Sequence, residues 1–328
     1  MQRATALART MDDDALVLMG YPAAALAAMR TSFPADAIVV RFDCIHTADG
    51  FRIIECNADT PFLLMEAHRR CGAVVAAHGM RDPNAGCEAA LGTAYARAFR
   101  EANAGAGATY AVTAYDAIED RTTAEYLREI VAPHLDRDVR FAPLAGLTAG
   151  PDALADATGR IDVLLRLYPL EHFAADRGGP AFLSLLERIR LRTINPPGAL
   201  FAQNKLLQVL IWHLALTRSY FSEDECAVIS RRFLPTYAER PAQPGPWIVK
   251  PALGREGSGV HADDGTDSGE PAIWQRMLDI PRIVHGGMDS YGIASCFVVD
   301  GEPGAIALRV GGPITNPTAA VIPLTISA

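Results

Sequence analysis

The chain has 328 residues, a length typical of about two domains. Half of the residues are hydrophobic and 21% are charged, so the composition is that of a globular protein rather than a disordered one. No apolar run reaches the roughly 18 residues of a membrane helix, and the N-terminal segment lacks a secretory pattern. A net charge of −8 without a basic cluster argues against nucleic acid as the main partner. The six cysteines have neither CxxC nor compact disulfide spacing, so we expect reduced thiols in a cytoplasmic protein.

The first third of the chain combines helices with a β-hairpin. Residues 1–36 are predicted to form a helical lead-in, within which the Ala-rich segment Tyr21–Arg30 favours a helix. The strands predicted next are Ala37–His46 and Phe51–Asn57, and the helices run from Pro61 to Arg70 and from about Gly86 to Ala102.

A Gly- and Ala-rich linker at Ala104–Ala108 marks a boundary, beyond which strands and helices alternate. This alternation predicts a small α/β unit. Its elements are the strands Tyr110–Tyr115, Val139–Phe141 and Ile161–Leu167 and the helix Thr123–His134. The last part contains the helix Lys205–Tyr220, the strands Trp247–Pro251, Ile293–Val299 and Ala305–Arg309, and a Gly-rich acidic loop at His261–Glu270.

The turn between the two N-terminal strands sets their register. A three-residue loop at 48–50 places Asp43 opposite Glu55 and Arg41 opposite Asn57. Opposed residues share one face of the ladder, with Cβ atoms about 5 Å apart. The register therefore predicts four polar side chains on one face, whereas a two-residue loop would separate the two acids. The same loop pairs Thr47 with Phe51 and Ile45 with Ile53.

Two interpretations of this hairpin cluster are open. Opposed carboxylates repel unless a cation lies between them, and the oxygens of Asp, Glu and Asn are hard ligands that suit Mg²⁺. Arg41 beside them is placed to hold a carboxylate or a phosphate through forked hydrogen bonds. In the alternative, which spacing alone favours, the four side chains form the solvated face of a half-exposed hairpin.

A strand that leads into a glycine-rich loop, Trp247–Val260, is the second candidate. Backbone N–H groups in such loops can bind phosphates, and Lys250 within the apolar strand would supply a point charge. The segment lacks the GxxxxGK[ST] pattern of a P-loop, and no GxGxxG opens a helix. A surface loop with glycines at its turns is the alternative, and the two interpretations have equal weight.

Two other basic positions are weaker candidates. Lys205 lies at the start of a predicted helix, where its charge opposes the helix dipole and an anionic partner would compensate it. Arg309 lies at a strand end with Asn316 shortly after it, and an arginine in such a place can stabilise a transferring phosphoryl group. A solvated lysine and a surface arginine are the simpler alternatives.

Nucleophilic and zinc-dependent catalysis find little support in the sequence. The chain has no GxSxG elbow, and its eight histidines include no HExxH motif. The cysteines also lack the spacing of zinc ligands.

Taken together and in order, these segments resemble the glutathionylspermidine synthase family of ATP-grasp carboxylate–amine ligases. The resemblance extends from about residue 37 to the C-terminus, and its specificity lies in the ordered set. The motifs that carry it are Arg41-Phe42-Asp43, Glu55-Cys56-Asn57-Ala58-Asp59-Thr60-Pro61, Glu66, Arg166-Leu167-Tyr168-Pro169-Leu170-Glu171, Asn195-Pro196-Pro197, Gln203-Asn204-Lys205, Tyr220-Phe221-Ser222, Val249-Lys250-Pro251, Gly254-Arg255-Glu256-Gly257, Asp300-Gly301-Glu302-Pro303 and Ile314-Thr315-Asn316.

The resemblance implies a mixed α/β fold of the ATP-grasp type. In it a metal-binding hairpin precedes the nucleotide-binding lysines, and a small α/β unit is inserted. The implied division gives residues 1–104 to the N-terminal helices and the hairpin, 105–194 to the α/β unit, and 195–328 to the nucleotide-binding and C-terminal core.

The resemblance also implies roles for individual residues. Asp43, Glu55 and Asn57 match Mg²⁺ ligands, and Lys205 and Lys250 match the lysines that bind the ATP phosphates. The residues implied to cover the phosphates or to lie near the adenine are Gly254, Gly257, Ser258, Gly259 and Gln275. The residues implied to bind the acyl phosphate or the carboxylate substrate are Arg41, Thr60, Arg255, Arg309 and Asn316, with the catalytic role on the three arginines.

The implied activity is an ATP-dependent ligase that activates a carboxylate as an acyl phosphate and joins it to an amine. Three departures predict altered substrates: a shorter segment before Arg41 with no amidase domain, His172 where tryptophan is expected, and an apolar stretch after Asn316. The alternatives are a catalytically inactive ATP-binding or partner-binding homologue and a phosphotransferase whose product is the phosphate itself.

Overall fold

The structure is a computed structural model, and it describes residues 1–31, 37–102, 105, 107–266, 268–316 and 318–326. Helices and strands are interspersed along the chain, which confirms the mixed α/β class. The α-helices are α1 (Gln2–Ala8), α2 (Asp13–Leu18), α3 (Leu26–Thr31), α4 (Cys71–Ala77), α5 (Cys87–Ala102), α6 (Ile118–Val131), α7 (Leu170–Ala175), α8 (Gly179–Glu187), α9 (Ala199–Gln203), α10 (Leu206–Thr217) and α11 (Glu223–Arg232). A π-helix, Glu66–Arg70, leads into α4, and short 3₁₀ turns span Ala23–Ala25, Ala132–His134 and Leu144–Gly146.

The strands belong to four sheets. They are β1 (Val39–Thr47), β2 (Gly50–Asn57), β3 (Tyr110–Thr113), β4 (Val139–Phe141), β5 (Thr148–Ala149), β6 (Leu154–Asp156), β7 (Gly159–Ile161), β8 (Val163–Arg166), β9 (Arg192–Ile194), β10 (Thr236–Tyr237), β11 (Trp247–Pro251), β12 (His261–Ala262), β13 (Ala272–Arg276), β14 (Arg282–His285), β15 (Met288–Val299), β16 (Glu302–Gly311) and β17 (Ala320–Ile322).

The largest sheet is antiparallel and has the strand order β17-β16-β15-β1-β2, with β14 also paired to β15. Strand β1 lies between β2 and β15, so its side chains have neighbours on both sides. Because side chains alternate along a strand, Arg41 and Asp43 share one face of this sheet. Because β1 is an internal strand of the sheet, both side chains are buried.

A second antiparallel sheet has the order β10-β13-β11-β12 and carries the other half of the site. Strand β11 has the bounds predicted for it, and it places Lys250 opposite Ile273 of β13. Helix α10 packs against β10 and β13. The helix predicted over Lys205–Tyr220 is confirmed in its core, although it ends at Thr217 because Arg218 adopts a left-handed conformation with a φ of 50°.

The third sheet is parallel, with the order β4-β3-β8-β9, and it lies within the range predicted for the small α/β unit. Helix α5 packs between this sheet and the large antiparallel sheet, where Phe99 is fully buried. Helix α6 covers the sheet through buried residues such as Leu127. The division of the chain at residues 104 and 194 stays a prediction.

A further core lies under the N-terminal helices. Helices α1 and α3 pack against α9, and α3 also packs against α8. Met29, Phe201 and Leu207 are buried there, and the Tyr21 hydroxyl donates a hydrogen bond to the Phe201 carbonyl oxygen at 2.9 Å. This packing holds the start of α10 in place, and the end of the lead-in predicted over residues 1–36 lies outside the described residues.

Several predicted boundaries were wrong. The helix predicted from Thr123 begins at Ile118, where two acidic residues in its first turn complement the helix dipole. The strand predicted at Ile161–Leu167 is split, because Gly159–Ile161 pairs in a small sheet of β5, β6 and β7 while Val163–Arg166 joins the parallel sheet. The predicted linker Ala104–Ala108 lies partly outside the described residues.

Within the described part of the chain, no helix combines the length and apolar character that a membrane span requires.

Substitution by alanine is predicted to affect stability differently at two helical glycines, Gly92 at the contact of α5 with α6 and Gly72 in α4. A Cβ at Gly92 would lie 2.4 Å from the Ile130 carbonyl oxygen, so Gly92→Ala is expected to reduce the free energy of unfolding by about 1–3 kcal/mol. At Gly72 in α4 the nearest atom is the flexible Asp82 carboxylate at 2.9 Å, so Gly72→Ala should be neutral or stabilising by up to about 1 kcal/mol. Urea unfolding checks both variants, and equal effects would contradict this packing.

Candidate active site

The N-terminal hairpin places the predicted polar cluster on one face, but by a different route from the one predicted. The loop has two residues, because Thr47 pairs with Gly50, so the predicted pairs of Thr47 with Phe51 and of Ile45 with Ile53 are wrong. A β-bulge between Asp43 and Cys44 then shifts the register by one residue. Asp43 consequently lies opposite Glu55, and Arg41 opposite Asn57, as predicted.

Asp43 is the centre of a dense network of hydrogen bonds. Arg41 donates two hydrogen bonds of 2.9 Å, one to each carboxylate oxygen of Asp43. Ser295 donates from its hydroxyl at 2.8 Å and Asn57 from its amide at 3.2 Å, while the Arg309 guanidinium lies 3.7 Å away. Burial alone would raise the pKa of Asp43, but Arg41 and Arg309 lower it below its usual value. The aspartate is therefore held as a buried anion.

Glu55 is paired with the first of the predicted lysines. Its carboxylate lies 3.0 Å from the Lys205 ammonium, which also donates a hydrogen bond of 2.6 Å to the Gly254 carbonyl oxygen. Lys205 is the N-cap residue of α10, which confirms its position at a helix start, and it is 2% exposed. The helix start, the hairpin and the glycine-rich loop therefore meet at one lysine.

Lys250 reaches the same place from β11. Its ammonium donates hydrogen bonds to the Ile54 carbonyl oxygen at 3.0 Å and to the Gln275 side-chain oxygen at 2.7 Å. Burial lowers the pKa of Lys250 to about 8, an effect that Lys205 strengthens and Glu55 opposes. The side chain of Gln275, predicted near the adenine, thus holds a lysine.

Lys205 and Lys250 are the only lysines among the 30 Lys and Arg residues of the chain. Both are buried at this one site, although lysine is among the residues that are almost never fully buried unless paired. The scarcity of lysine was visible in the sequence and would have singled out both residues without reference to any family.

Arg255 links the glycine-rich loop to two other parts of the fold. It lies 2.7 Å from the Glu171 carboxylate, 3.1 Å from the Thr60 hydroxyl and 3.4 Å from the Asp59 carboxylate. Asp59 is also hydrogen-bonded to the buried guanidinium of Arg166. Arg166 comes from β8 of the parallel sheet, so this network joins the hairpin, the α/β unit and the loop.

A cleft of about 950 Å³ opens above these residues. Its lining includes most of the predicted site residues, namely Arg41, Asp43, Glu55, Asn57, Thr60, Lys205, Lys250, Gly254, Arg255, Gly257, Gln275 and Arg309. Ser258, Gly259 and Asn316 are not brought into the lining. The Asn316 side chain instead accepts hydrogen bonds within a turn at Thr318, while its neighbour Thr315 packs against Gly257.

Two supporting residues were missed because their partners are distant in sequence. The Gln203 side-chain oxygen accepts hydrogen bonds from the backbone N–H groups of Ala58 and Asp59 at 3.0 and 3.2 Å. The Asn195 amide bonds to backbone groups of both β1 and the segment after β2. Both belong to motifs that carry the family resemblance, yet only the tertiary structure shows that they fix the hairpin.

The oxygen donors on the hairpin fit a bound Mg²⁺. This ion is usually held by one or two carboxylates together with substrate phosphates and water. Asp43 and Glu55 lie opposite each other with the Asn57 amide beside them, so these are the side chains that would hold such an ion. Among the described residues, no group of three or more His, Cys, Asp or Glu side chains could hold a metal alone.

Comparison with known proteins identifies the family of the chain. The family described as glutathionylspermidine synthase preATP-grasp matches residues 2–327, so the chain belongs to that family, as predicted from its motifs. No curated protein sequence matches the chain.

Two solved structures show the fold. A glutathione synthetase-like effector (GSS30) from Globodera pallida, in its apo form, is similar with a TM-score of 0.61 and 11% identity, over 98% of this chain and 87% of that chain. A protein assigned as a gamma-glutamylcysteine synthetase from Methylobacillus flagellatus KT has a TM-score of 0.54 and 8% identity, over 88% and 80% of the two chains. The chain therefore has an ATP-grasp-like synthetase fold.

The buried pair of Asp59 and Arg166 predicts a large loss of stability in Asp59→Asn. Both side chains are fully buried, so the variant leaves a guanidinium without its counter-charge and should lose about 3–5 kcal/mol in urea unfolding. The matched control is Asp116→Asn, whose partner Arg121 is exposed, and its loss should stay below about 1 kcal/mol. A small loss in Asp59→Asn would contradict the network.

The lowered pKa of Lys250 predicts a characteristic pH dependence of stability. Between pH 8 and its ordinary value of 10.5, Lys250 is neutral in the folded chain but still protonated in the unfolded chain. Its contribution to stability therefore rises with pH in this window, by about 3 kcal/mol in total. Relative to Lys250→Met, the wild type should gain stability between pH 8 and pH 10.5 in denaturant titrations. Parallel pH profiles of the two proteins would contradict the assignment.

Proposed function

We propose that this family member is an ATP-dependent carboxylate–amine ligase that forms an amide and releases ADP and phosphate. The observation that carries the proposal is the convergence of the only two lysines of the chain, with Arg41 and Arg309, on the paired acids of the hairpin. These groups come from separate elements, and binding of an anionic ligand would explain why they are buried together.

The balance of charge supports this proposal. The cleft lining contains seven Lys or Arg side chains and six Asp or Glu side chains. Around the two hairpin acids, Asp43 and Glu55, the balance is more positive, because four cations, Arg41, Lys205, Lys250 and Arg309, lie near them. The excess of positive charge in a buried environment attracts a polyanion strongly. Phosphoryl transfer depends mainly on positioning and on neutralisation of charge, so a triphosphate and a carboxylate substrate fit this site.

In the proposed mechanism, Asp43, Glu55 and Asn57 would hold Mg²⁺, and the bound ion would supply neutralisation of phosphate charge. Lys205 and Lys250 bind the phosphates, and the loop of Gly254, Gly257, Ser258 and Gly259 closes over them. Gly257 has a φ of 76°, and a Cβ there would lie 2.4 Å from the Thr315 carbonyl oxygen, so the loop needs glycine at this position.

The arginines are proposed to bind the reacting carboxylate and its phosphorylated form. The Arg309 Nε is buried and has no hydrogen-bond partner in the described structure, so it is available to an anion. In the reaction, a carboxylate oxygen bonds to the γ-phosphorus as ADP leaves, and an amine nitrogen then attacks the acyl carbon as phosphate leaves. Arg41, Arg255 and Thr60 would orient the acyl phosphate. Asn316 would bind the substrate from the turn that it forms with Thr318.

The substrates are proposed to be a small-molecule or peptide carboxylate and an amine. The similar structures are described as glutathione synthetase-like and as a gamma-glutamylcysteine synthetase, which supports a peptide-like amide product. Differences at His172 and after Asn316 support a substrate pair other than glutathione and spermidine. We also propose a cytoplasmic location, with which six free cysteines agree.

The test is a screen of acids and amines for ADP release that requires both substrates, followed by detection of the amide. Asp43→Ala and Lys250→Ala should each lower turnover by about 1,000-fold, because each removes charge stabilisation of phosphoryl transfer. Glu101→Gln, on the exposed end of α5, is the matched control and should retain activity.

Full turnover in Asp43→Ala or Lys250→Ala would contradict the proposal. Nucleotide binding without ADP release for any acid and amine pair would favour the inactive homologue. Accumulation of a phosphorylated product without amide would favour a phosphotransferase.

A further inference from the structure

Lys250 is held by a chain of buried amides that leads away from the cleft. Gln275 is 1% exposed, and its side-chain oxygen accepts the hydrogen bond from Lys250. Its side-chain nitrogen donates to the Gln208 side-chain oxygen at 3.2 Å and to the Thr236 hydroxyl at 3.3 Å. Gln208 and Thr236 are each 2% exposed, so bulk solvent reaches neither partner.

The chemistry of its partners fixes the orientation of the Gln275 amide. An ammonium group only donates hydrogen bonds, so it requires the amide oxygen. The Thr236 hydroxyl donates its own proton to the Leu234 carbonyl oxygen at 2.8 Å, so towards Gln275 it can only accept. The amide nitrogen must therefore face Thr236, and both ends of Gln275 are determined.

Gln208 connects this chain of amides to the other lysine. It is three residues after Lys205, in the first turn of α10, and residues at this spacing lie on the same side of a helix. The same helical turn therefore carries Lys205 directly and supports Lys250 through Gln208 and Gln275. Of the three ammonium protons of Lys250, Ile54 and Gln275 accept two, which leaves one for a ligand in the cleft.

We propose that Gln208 and Thr236 are positioning residues that keep the oxygen of Gln275 on Lys250, so that the lysine stays charged and directed into the cleft. The consequence for nucleotide binding rests on the proposed function, whereas the orientation of the amide does not. If both acceptors were lost, Gln275 could rotate and turn its NH₂ group towards the ammonium, which would favour neutral lysine.

The charged groups that face Lys250 are Glu55 and Asp43, which favour its protonated form, and Lys205, which opposes it. With a pKa of about 8, Lys250 is mostly charged at neutral pH, but a modest further decrease would make much of it neutral. A small change in the surroundings of Lys250, such as the loss of the two positioning residues, would therefore change its charge at neutral pH.

The test uses the full chain labelled with ¹³C and ¹⁵N lysine, which gives only two lysine side-chain signals. Lys205→Arg assigns them. In Gln208→Leu/Thr236→Val, which loses both acceptors, the titration midpoint of Lys250 should fall by about one pH unit. In Gln208→Glu, which keeps the acceptor and adds a negative charge, the midpoint should rise. Thr236→Ser retains the hydroxyl and should leave it unchanged.

An unchanged or raised midpoint in the double variant would overturn the proposal. Thr236→Val alone removes one of the two acceptors and is nearly isosteric, so it keeps the proposal testable if the double variant does not fold. Its midpoint should fall by less than that of the double variant, and an unchanged or raised midpoint in Thr236→Val, beside an unchanged one in Thr236→Ser, would overturn the positioning role. The rise in Gln208→Glu follows from its added charge and shows only that the signal reports groups at this position.

The second measurement is calorimetric binding of a non-hydrolysable ATP analogue with Mg²⁺. The double variant should bind about threefold more weakly at pH 7.5, because a midpoint one unit lower reduces the protonated fraction of Lys250 from about three quarters to about one quarter. Lowering the pH to 6.5 should restore most of the affinity because Lys250 becomes protonated again. If the wild type binds no nucleotide while the lysine shifts occur as expected, the positioning role holds and the proposed function fails. If the wild type binds nucleotide and the shifts do not occur, the positioning role fails alone.

Discussion

The structure depends on keeping several charged side chains buried beside one another at the base of a cleft. Arg41 and Asp43 form a two-point hydrogen-bonded pair in β1, an internal strand of the largest sheet, and Glu55 and Lys205 pair beside it. Buried charges are tolerated only when they are paired and hydrogen-bonded. Much of the surrounding fold meets this requirement. Helix α10 and strand β11 each place a lysine beside the acids, and the glycine-rich loop supplies a backbone oxygen that accepts a hydrogen bond from Lys205.

The sequence predicted the family, the strands β1, β2 and β11 that carry the site, and most of the charged residues at the hairpin, because these depend on local pattern and on ordered motifs. Other strands, among them β9, β10 and β13, were not predicted. The hairpin shows the limit of that reasoning. Its predicted loop was one residue too long, and a β-bulge at Asp43 restored the predicted pairing of the acids. The extra residue is Ile54 of β2, which the pairing skips, and the local sequence pattern did not indicate it.

Contacts between distant segments were also beyond local pattern. The role of Gln275 in holding Lys250 requires knowing that β10, β13 and α10 enclose it. The network through Asp59 likewise joins residues from the hairpin, the parallel sheet and the loop. The composition also indicated the site, because only two of the 30 Lys and Arg residues are lysines and both lie in it.

The central claim is that the acids and lysines together form a Mg²⁺-dependent nucleotide site, and calorimetry with a non-hydrolysable ATP analogue tests it most directly. The account predicts binding by the wild type that requires Mg²⁺, and loss of that binding in Lys205→Met and in Asp43→Ala. Absence of binding by the wild type, or binding that persists in both variants and without Mg²⁺, would contradict it.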